Sequence, residues 1–143
     1  MLNYINAITE EKSYSGLQMK EVKPVMKLII RGKKREFLSA IGKSLNLLLP
    51  TEANTSTRSE KLTALWLSPD EWMIYSNKIS DTDNNNYETE NLLTKNITKT
   101  NLGAITDVTD QFVLINLKGD KIFDLFQTGS PFNFNNFENK KGS

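Results

Sequence analysis

The sequence predicts an α+β domain in which one mainly antiparallel sheet carries helices on one side. Strand-like and helix-like segments follow in the order strand–helix–strand–strand–helix–strand–strand–helix, which is typical of this class. Two of the strand segments are joined by a turn of hairpin type, so antiparallel pairing is expected between them. An apolar fraction of 38% and a length of 143 residues fit one folded domain with a real core.

The first part of the chain predicts an arm, a strand and a helix. Residues 1–24 are polar and weakly patterned, and we expect an extended N-terminal arm ordered by a partner or a neighbouring surface. Residues 25–143 are expected to form the single domain. Its first strand is residues 26–31, and residues 33–46 follow as a helix because apolar residues recur there at helical spacing.

A tight hairpin is predicted in the middle of the chain. Residues 51–60 have a single apolar residue and predict a loop, whereas residues 62–67 and 72–76 have strand character. The four residues 68–71, Ser-Pro-Asp-Glu, lie between the two strands. Pro69 fixes φ near the value that a turn requires, so a single turn should join the strands.

The second half of the chain predicts two strands, two helices and an aromatic tail. The two strands are expected to be neighbours, and the last segment alternates Asn and Phe like a strand with one apolar face. The predicted elements are a loop at 77–86, a helix at 88–99, strands at 103–108 and 112–117, a short helix at 120–127 and the aromatic segment at 131–139.

Composition excludes several kinds of chemistry. The chain has no cysteine and no histidine, so a thiol nucleophile, a disulfide, a Ser-His-Asp triad and a His-ligated zinc site are all impossible. A net charge of +1 provides no strong field for nucleic acid or an anionic membrane, and neither is expected as a partner. No apolar run approaches a membrane span and no signal peptide is recognisable, so a cytoplasmic location is expected.

Two pairs of carboxylates could serve acid–base chemistry or bind a metal, but turn and cap chemistry is the stronger interpretation. Asp70 and Glu71 lie in the hairpin turn, and Asp107 and Asp110 lie at the end of a predicted strand and just after it. A carboxylate at a strand end accepts backbone N–H groups that would otherwise lack partners. Neither pair has a histidine, a lysine or a further carboxylate nearby in sequence that would shift its pKa to a working value.

Aromatic residues supply the candidate interaction sites. Trp66 and Trp72 flank the hairpin turn and could belong to the core, to a subunit interface or to a ligand platform. Phe132, Phe134 and Phe137 form an apolar row that needs cover from elsewhere, and partner contact is expected there. The candidate interface residues are Trp66, Pro69, Asp70, Trp72, Phe132, Phe134 and Phe137.

Two motifs resemble the gamma subunit of heterotetrameric sarcosine oxidase. Residues 65–72 read LWLSPDEW, close to the LWLGPDEW of that family. Residues 107–110 read DVTD, close to its DVS(H/D), and are followed by a strand, a glycine turn and a helix. Residues 130–134, SPFNF, stand where the family has CPLDL. The family is itself similar to the folate-binding domains of glycine-cleavage T-protein and the YgfZ proteins, which implies their N-terminal α+β fold.

The resemblance implies a non-catalytic structural subunit. Its partners would be the alpha, beta and delta subunits of an enzyme that oxidatively demethylates sarcosine to glycine and passes the one-carbon unit to tetrahydrofolate. FAD, FMN, NAD, tetrahydrofolate and zinc would belong to those subunits, and this chain would hold no cofactor, no metal and no catalytic residue. The chain is also expected to stop short of the family's usual C-terminal end, without its last strand or strands and helix.

Some residues depart from the family pattern, and two other functions stay open. Thr109 replaces the usual Ser but keeps the hydroxyl, Asp120 replaces a Pro, and Ser130 and Asn133 replace Cys and Asp. The YgfZ signature cysteine is missing, which argues against that activity. The alternatives are a stand-alone folate-binding module of the T-protein or YgfZ type and an unrelated adaptor that shares only the fold.

Overall fold

The structure is a computed structural model that describes residues 5–8, 12–78 and 88–134. It divides into two compact units. The first unit joins the described residues up to Lys23 with those from Val113 onward, and the second runs from Pro24 to Phe112. The fold within each unit is described separately.

Eight strands and three helices lie in the described residues. The strands are β1 (Lys12–Tyr14), β2 (Leu17–Glu21), β3 (Lys27–Gly32), β4 (Ser56–Arg58), β5 (Leu62–Ser68), β6 (Glu71–Ser76), β7 (Gly103–Asp107) and β8 (Ile115–Lys118). The helices are α1 (Arg35–Leu45), α2 (Glu88–Ile97) and α3 (Ile122–Gln127), and a 3-10 turn, Thr98–Thr100, follows α2.

The predicted α+β class is confirmed, with every described strand pair antiparallel. The second unit contains a five-stranded sheet in the order β4-β5-β6-β3-β7. The first unit contains a separate three-stranded sheet in the order β1-β2-β8. The sequence had predicted one sheet, so the number of sheets is a correction.

One face of the five-stranded sheet forms the core of the second unit together with α1 and α2. Leu28 and Ile30 alternate along β3, and their register partners on β6 are Ile74 and Trp72, so all four side chains share a face. The two helices bury apolar residues in the same core cluster: Phe37 and Ile41 from α1, and Leu93 and Ile97 from α2. The predicted placement of helices on one side of the sheet is therefore confirmed for this unit.

Phe37 lies over a pair of glycines at one end of the sheet. Gly32 on β3 and Gly103 on β7 are register partners, and the fully buried Phe37 ring covers both. A Cβ built on Gly32 would lie 2.6–2.7 Å from three atoms of that ring. The absence of side chains on two neighbouring strands thus creates the space that the aromatic ring fills.

The sheet of the first unit is closed by two turns that touch. Gly16, between β1 and β2, has φ +77, and Gly119, after β8, has φ +134. The Gly16 carbonyl accepts the Lys121 N–H at 3.1 Å and lies where a Cβ on Gly119 would be. Glycine is required at Gly119 because both the backbone conformation and the close approach exclude a side chain.

Three local predictions differ from the structure. The arm expected at residues 1–24 contains β1 and β2, which form a hairpin, and β2 also pairs with β8. The strands β7 and β8, expected to be neighbours, pair with β3 and β2 instead. The aromatic segment is no strand up to Phe134, because Phe134 stacks on Phe123 and Phe126 of α3, and Phe132 packs on Phe134.

Candidate functional site

The β5–β6 hairpin ends in a turn held by polar contacts. The Ser68 hydroxyl donates to Asp70 Oδ1 at 2.9 Å, and the Asp70 carbonyl accepts the Gly32 N–H at 3.0 Å. Lys33 Nζ lies 3.6 Å from Asp70 Oδ2, and Arg31 lies 3.9 Å from Glu71. Both carboxylates therefore serve the turn and the neighbouring strand, as the turn interpretation predicted.

Asp70 titrates below its ordinary range. The hydrogen bond from the Ser68 hydroxyl lowers its pKa most, and the charges of Lys33 and Arg31 lower it further. A carboxylate with a lowered pKa is ionised throughout the neutral range and is a poor proton donor there. This favours a structural role for Asp70 over a role as general acid.

A bulge leaves one exposed apolar residue of the hairpin without a cross-strand partner. The register shifts between Trp66 and Ser68, so Leu67 has no partner on β6 and is 43% exposed. Trp66 is half-buried and packs against the core, and Pro69 is exposed. We define the hairpin-tip surface as Trp66, Leu67 and Pro69 together with the charged residues of the two ion pairs beside them, Arg31–Glu71 and Lys33–Asp70.

Trp72 lies inside the second unit, away from its surface. Its side chain is 2% exposed, and its indole Nε1 donates to the Pro50 carbonyl at 2.7 Å. Of the three roles left open for this residue, the core role agrees with its position, because the buried ring has no face left for a partner chain. The structure thus places Trp66, Pro69 and Asp70 near one another and removes Trp72 from that surface.

The second carboxylate pair lies near a lysine that the sequence did not single out. Lys27 Nζ donates to the Thr109 carbonyl at 2.9 Å and to the Val25 carbonyl at 3.0 Å. The backbone N–H of Lys27 donates to Thr109 Oγ1 at 3.1 Å, and Asp107 Oδ1 accepts the Thr109 N–H at 2.7 Å. The DVTD motif therefore forms a turn that closes around Lys27.

Burial lowers the pKa of Lys27, while the charges of Asp110 and Asp107 act in the opposite direction. Lys27 and Thr109 are 82 residues apart, so no local motif joins them. The only sequence signal was a lysine inside the apolar run Met-Lys-Leu-Ile-Ile at residues 26–30. Its 2% exposure makes it the most deeply buried charged side chain among the described residues of the second unit.

Four phenylalanines cluster in the first unit. The ring of Phe134 lies 5.9 Å from Phe123, 5.5 Å from Phe126 and 5.1 Å from Phe132, measured between centroids. Phe126 is 41% exposed and Phe132 is 51% exposed. We call these four residues the aromatic surface; Phe137, the third predicted member of the tail, lies outside the described residues.

The part of the chain that the structure describes offers little else for chemistry. It contains no cluster of three or more acidic side chains that could hold a metal ion. No helix in the described ranges is long and apolar enough to cross a membrane. A shallow cleft of about 240 Å³ beside α2 and β7 is lined by Thr94, Ile97, Asn101, Gly103, Ala104 and Ile105, and none of these carries a charge or a nucleophile suited to catalysis.

Comparison with known proteins connects the fold to one enzyme assembly. No protein-family model matches the sequence, and no curated protein matches it. The fold is similar to a chain of the heterotetrameric sarcosine oxidase from Corynebacterium sp. U-96 in complex with pyrrole 2-carboxylate, with a TM-score of 0.71 and 16% sequence identity. The similarity covers 82% of this chain and 57% of that chain, so the present chain spans little more than half of the neighbour's length. At this identity the likeness shows a shared fold.

Proposed function

We propose that this chain is a non-catalytic structural subunit of a heterotetrameric sarcosine oxidase, equivalent to the gamma subunit. The observation that carries the proposal is the fold shared with a chain of such an enzyme. The two sequence motifs that resemble the gamma subunit support it, because they form the hairpin turn and the Lys27 turn rather than an active site. On this proposal the fold belongs to the T-protein and YgfZ superfamily.

The size of the matched chain supports a small subunit. An alignment of 82% of 143 residues that fills 57% of the neighbour corresponds to a neighbour of about 200 residues. A chain of that size is the length of one or two ordinary domains. This favours a supporting subunit over one that carries both a dinucleotide-binding domain and a substrate domain.

The chemistry of the assembly would then lie in the other chains. The partners would be the alpha, beta and delta subunits, and these would hold FAD, FMN, NAD, tetrahydrofolate and zinc. The assembly would be located in the cytoplasm. A chain that lacks histidine and cysteine has few groups for proton or hydride chemistry at neutral pH, which agrees with this division.

Two surfaces would contact the partners. The hairpin-tip surface has an apolar centre with the exposed Leu67 and Pro69, bordered by the Lys33–Asp70 and Arg31–Glu71 ion pairs. An apolar centre with a charged rim is the usual anatomy of a protein interface. The aromatic surface exposes phenylalanine, a residue type that is enriched in interfaces.

Co-expression with the alpha, beta and delta subunits tests the proposal. The four chains should elute together in gel filtration, and Leu67→Asp or Phe132→Asp should weaken recovery of the complex by roughly tenfold or more, as expected for central interface residues. Leu48→Asp and Ile5→Asp are matched controls, since these side chains are 80% and 82% exposed and lie outside both surfaces. They should leave recovery unchanged.

Two results would contradict the proposal. One is elution of this chain by itself while the other three subunits assemble. The other is saturable thermal stabilisation of the isolated chain by tetrahydrofolate, which would instead support the stand-alone folate-binding module.

A further inference from the structure

Lys27 is a charged group in an unusual place. Its side chain begins on β3, is 2% exposed, and donates to two backbone carbonyls, those of Val25 and Thr109. The carboxylates whose charges act on it are Asp107 and Asp110. A lysine is rarely buried to this degree without partners, and here the partners come from the β3 entry and the DVTD turn.

Two backbone carbonyl oxygens accept hydrogen bonds from the ammonium, and two nearby carboxylates, Asp110 and Asp107, add negative charge. Backbone carbonyls and carboxylates are the groups with which proteins bind hard monovalent and divalent cations. We propose that Lys27 acts as an internal structural cation, and that the oxygen-lined site between β3 and residues 107–110 accepts a free primary alkylammonium ion when the Lys27 side chain is removed.

The backbone bonds around the site explain why the cation matters. The Val108 N–H donates to the Lys27 carbonyl at 2.9 Å, and the Lys27 N–H donates to Thr109 Oγ1 at 3.1 Å. Both the backbone and the side chain of Lys27 therefore hydrogen-bond to the turn at residues 107–110. Without the ammonium, the Val25 and Thr109 carbonyls lose a buried charged donor, which is a costly loss.

Chemical rescue of Lys27→Ala tests the proposal. Alanine keeps Cβ, so the atoms removed are three carbons and the nitrogen, and n-propylammonium supplies the same four heavy atoms. The melting temperature of the full 143-residue chain, followed by tryptophan fluorescence, should fall by about 10 °C in the variant. It should then rise with the logarithm of added n-propylammonium chloride.

The controls separate charge from space filling. n-Propanol has the same chain without the charge, and sodium chloride matches the ionic strength; neither should restore the melting temperature. Lys34→Ala removes an exposed lysine, and neither it nor the wild type should respond to n-propylammonium. Equal rescue by n-propanol, or the absence of any rescue in a folded Lys27→Ala variant, would overturn the proposal.

A second variant covers the case in which Lys27→Ala does not fold. Lys27→Met fills most of the volume but leaves the two carbonyls without a donor. Its melting temperature should be lower than that of the wild type by about 5 °C or more. A methionine variant as stable as the wild type would show that the ammonium is dispensable and would overturn the proposal.

Discussion

The packing of Phe37 on two glycines predicts that Gly32→Ala destabilises the wild-type chain but stabilises a variant that lacks the Phe37 ring. Phe37 is fully buried, and the ring atoms nearest to a Cβ on Gly32 would be only 2.6–2.7 Å away. Gly32→Ala should therefore destabilise the wild-type chain by about 1–3 kcal/mol, the usual range for overpacking. Gly32 does not have a positive φ, so backbone strain does not add to this cost.

Removing the Phe37 ring should change the effect of Gly32→Ala on stability from unfavourable to favourable. Phe37→Ala alone should cost about 4–5 kcal/mol, because a buried Phe→Ala change costs about 3–5 kcal/mol and the facing glycines have no side chains to collapse into the cavity. In that background the Gly32→Ala methyl group lies in the vacated space. It should then stabilise by about 1 kcal/mol, the value of one buried carbon.

Urea unfolding of the four proteins in this double-mutant cycle measures the coupling. Trp66 and Trp72 are the two tryptophans of the chain and both lie in the second unit, so their fluorescence reports on the unit that contains the cavity. We expect a coupling energy of about 2–4 kcal/mol. Leu67→Ala, at an exposed site of the same unit, should change stability by no more than about 0.5 kcal/mol.

An equal cost of Gly32→Ala in both backgrounds would contradict this prediction. That result would mean that the Phe37 ring does not occupy the space above the glycine pair.

Three further predictions concern turns in the two units. Gly119→Ala should destabilise the first unit by about 2 kcal/mol or more, because φ at Gly119 is +134 and the Gly16 carbonyl blocks the added methyl group. Hydrogen exchange of the β8 amides should become faster in this variant, and unchanged exchange would argue against the contact between the two turns. The Ser68 hydrogen bond and the nearby cations lower the pKa of Asp70 from 3.8 in the folded state, so its stabilising effect is complete at neutral pH and is lost as the pH falls below 3.8. Asp70→Asn should therefore flatten the acid-unfolding curve below pH 3.8, and an unchanged curve would contradict the ion-pair and Ser68 contacts. Thr109→Ser should change the free energy of unfolding by no more than about 0.5 kcal/mol, whereas Thr109→Val should lower it by about 1–2 kcal/mol because the Lys27 N–H loses its acceptor. The urea midpoints of the two variants measure this difference, and equal midpoints would contradict the prediction.

Local patterns sufficed where an element is decided by its own residues. The apolar spacing of residues 33–46 predicted α1, observed as Arg35–Leu45. The Ser-Pro-Asp-Glu turn predicted the β5–β6 hairpin, whose strands end at Ser68 and begin again at Glu71. In both cases the amphipathic period or the turn chemistry is complete within a few residues, so no distant contact is needed to select the structure.

Elements that depend on distant partners were missed. β4 consists of Ser56, Thr57 and Arg58, which carry no strand pattern and form a strand only by pairing with β5. β7 and β8 were expected to be neighbours, but β7 pairs with β3, and the Val108 N–H donates to the Lys27 carbonyl at the end of that pairing. β8 instead pairs with β2, from a segment whose weak pattern predicted only an arm.

The candidate site was predicted only in part for the same reason. Phe132 is 51% exposed and its partner contact stays a prediction, whereas Trp72 is 2% exposed and lies in the core. Periodicity could not separate these roles, because an aromatic residue on a strand has the same pattern whether its face meets a helix or another chain. Leu67 was not singled out, since the sequence gives no signal for the β-bulge that leaves it without a cross-strand partner.

The mass of the complex formed on co-expression shows whether this chain is a subunit of the proposed oxidase. Light scattering on the purified assembly should give one particle that contains this chain together with the alpha, beta and delta subunits, and sarcosine turnover should be found in that particle and not in the isolated chain. Recovery of this chain as a free protein beside a three-subunit particle, or sarcosine turnover by the isolated chain, would show that it is not a structural subunit of that complex.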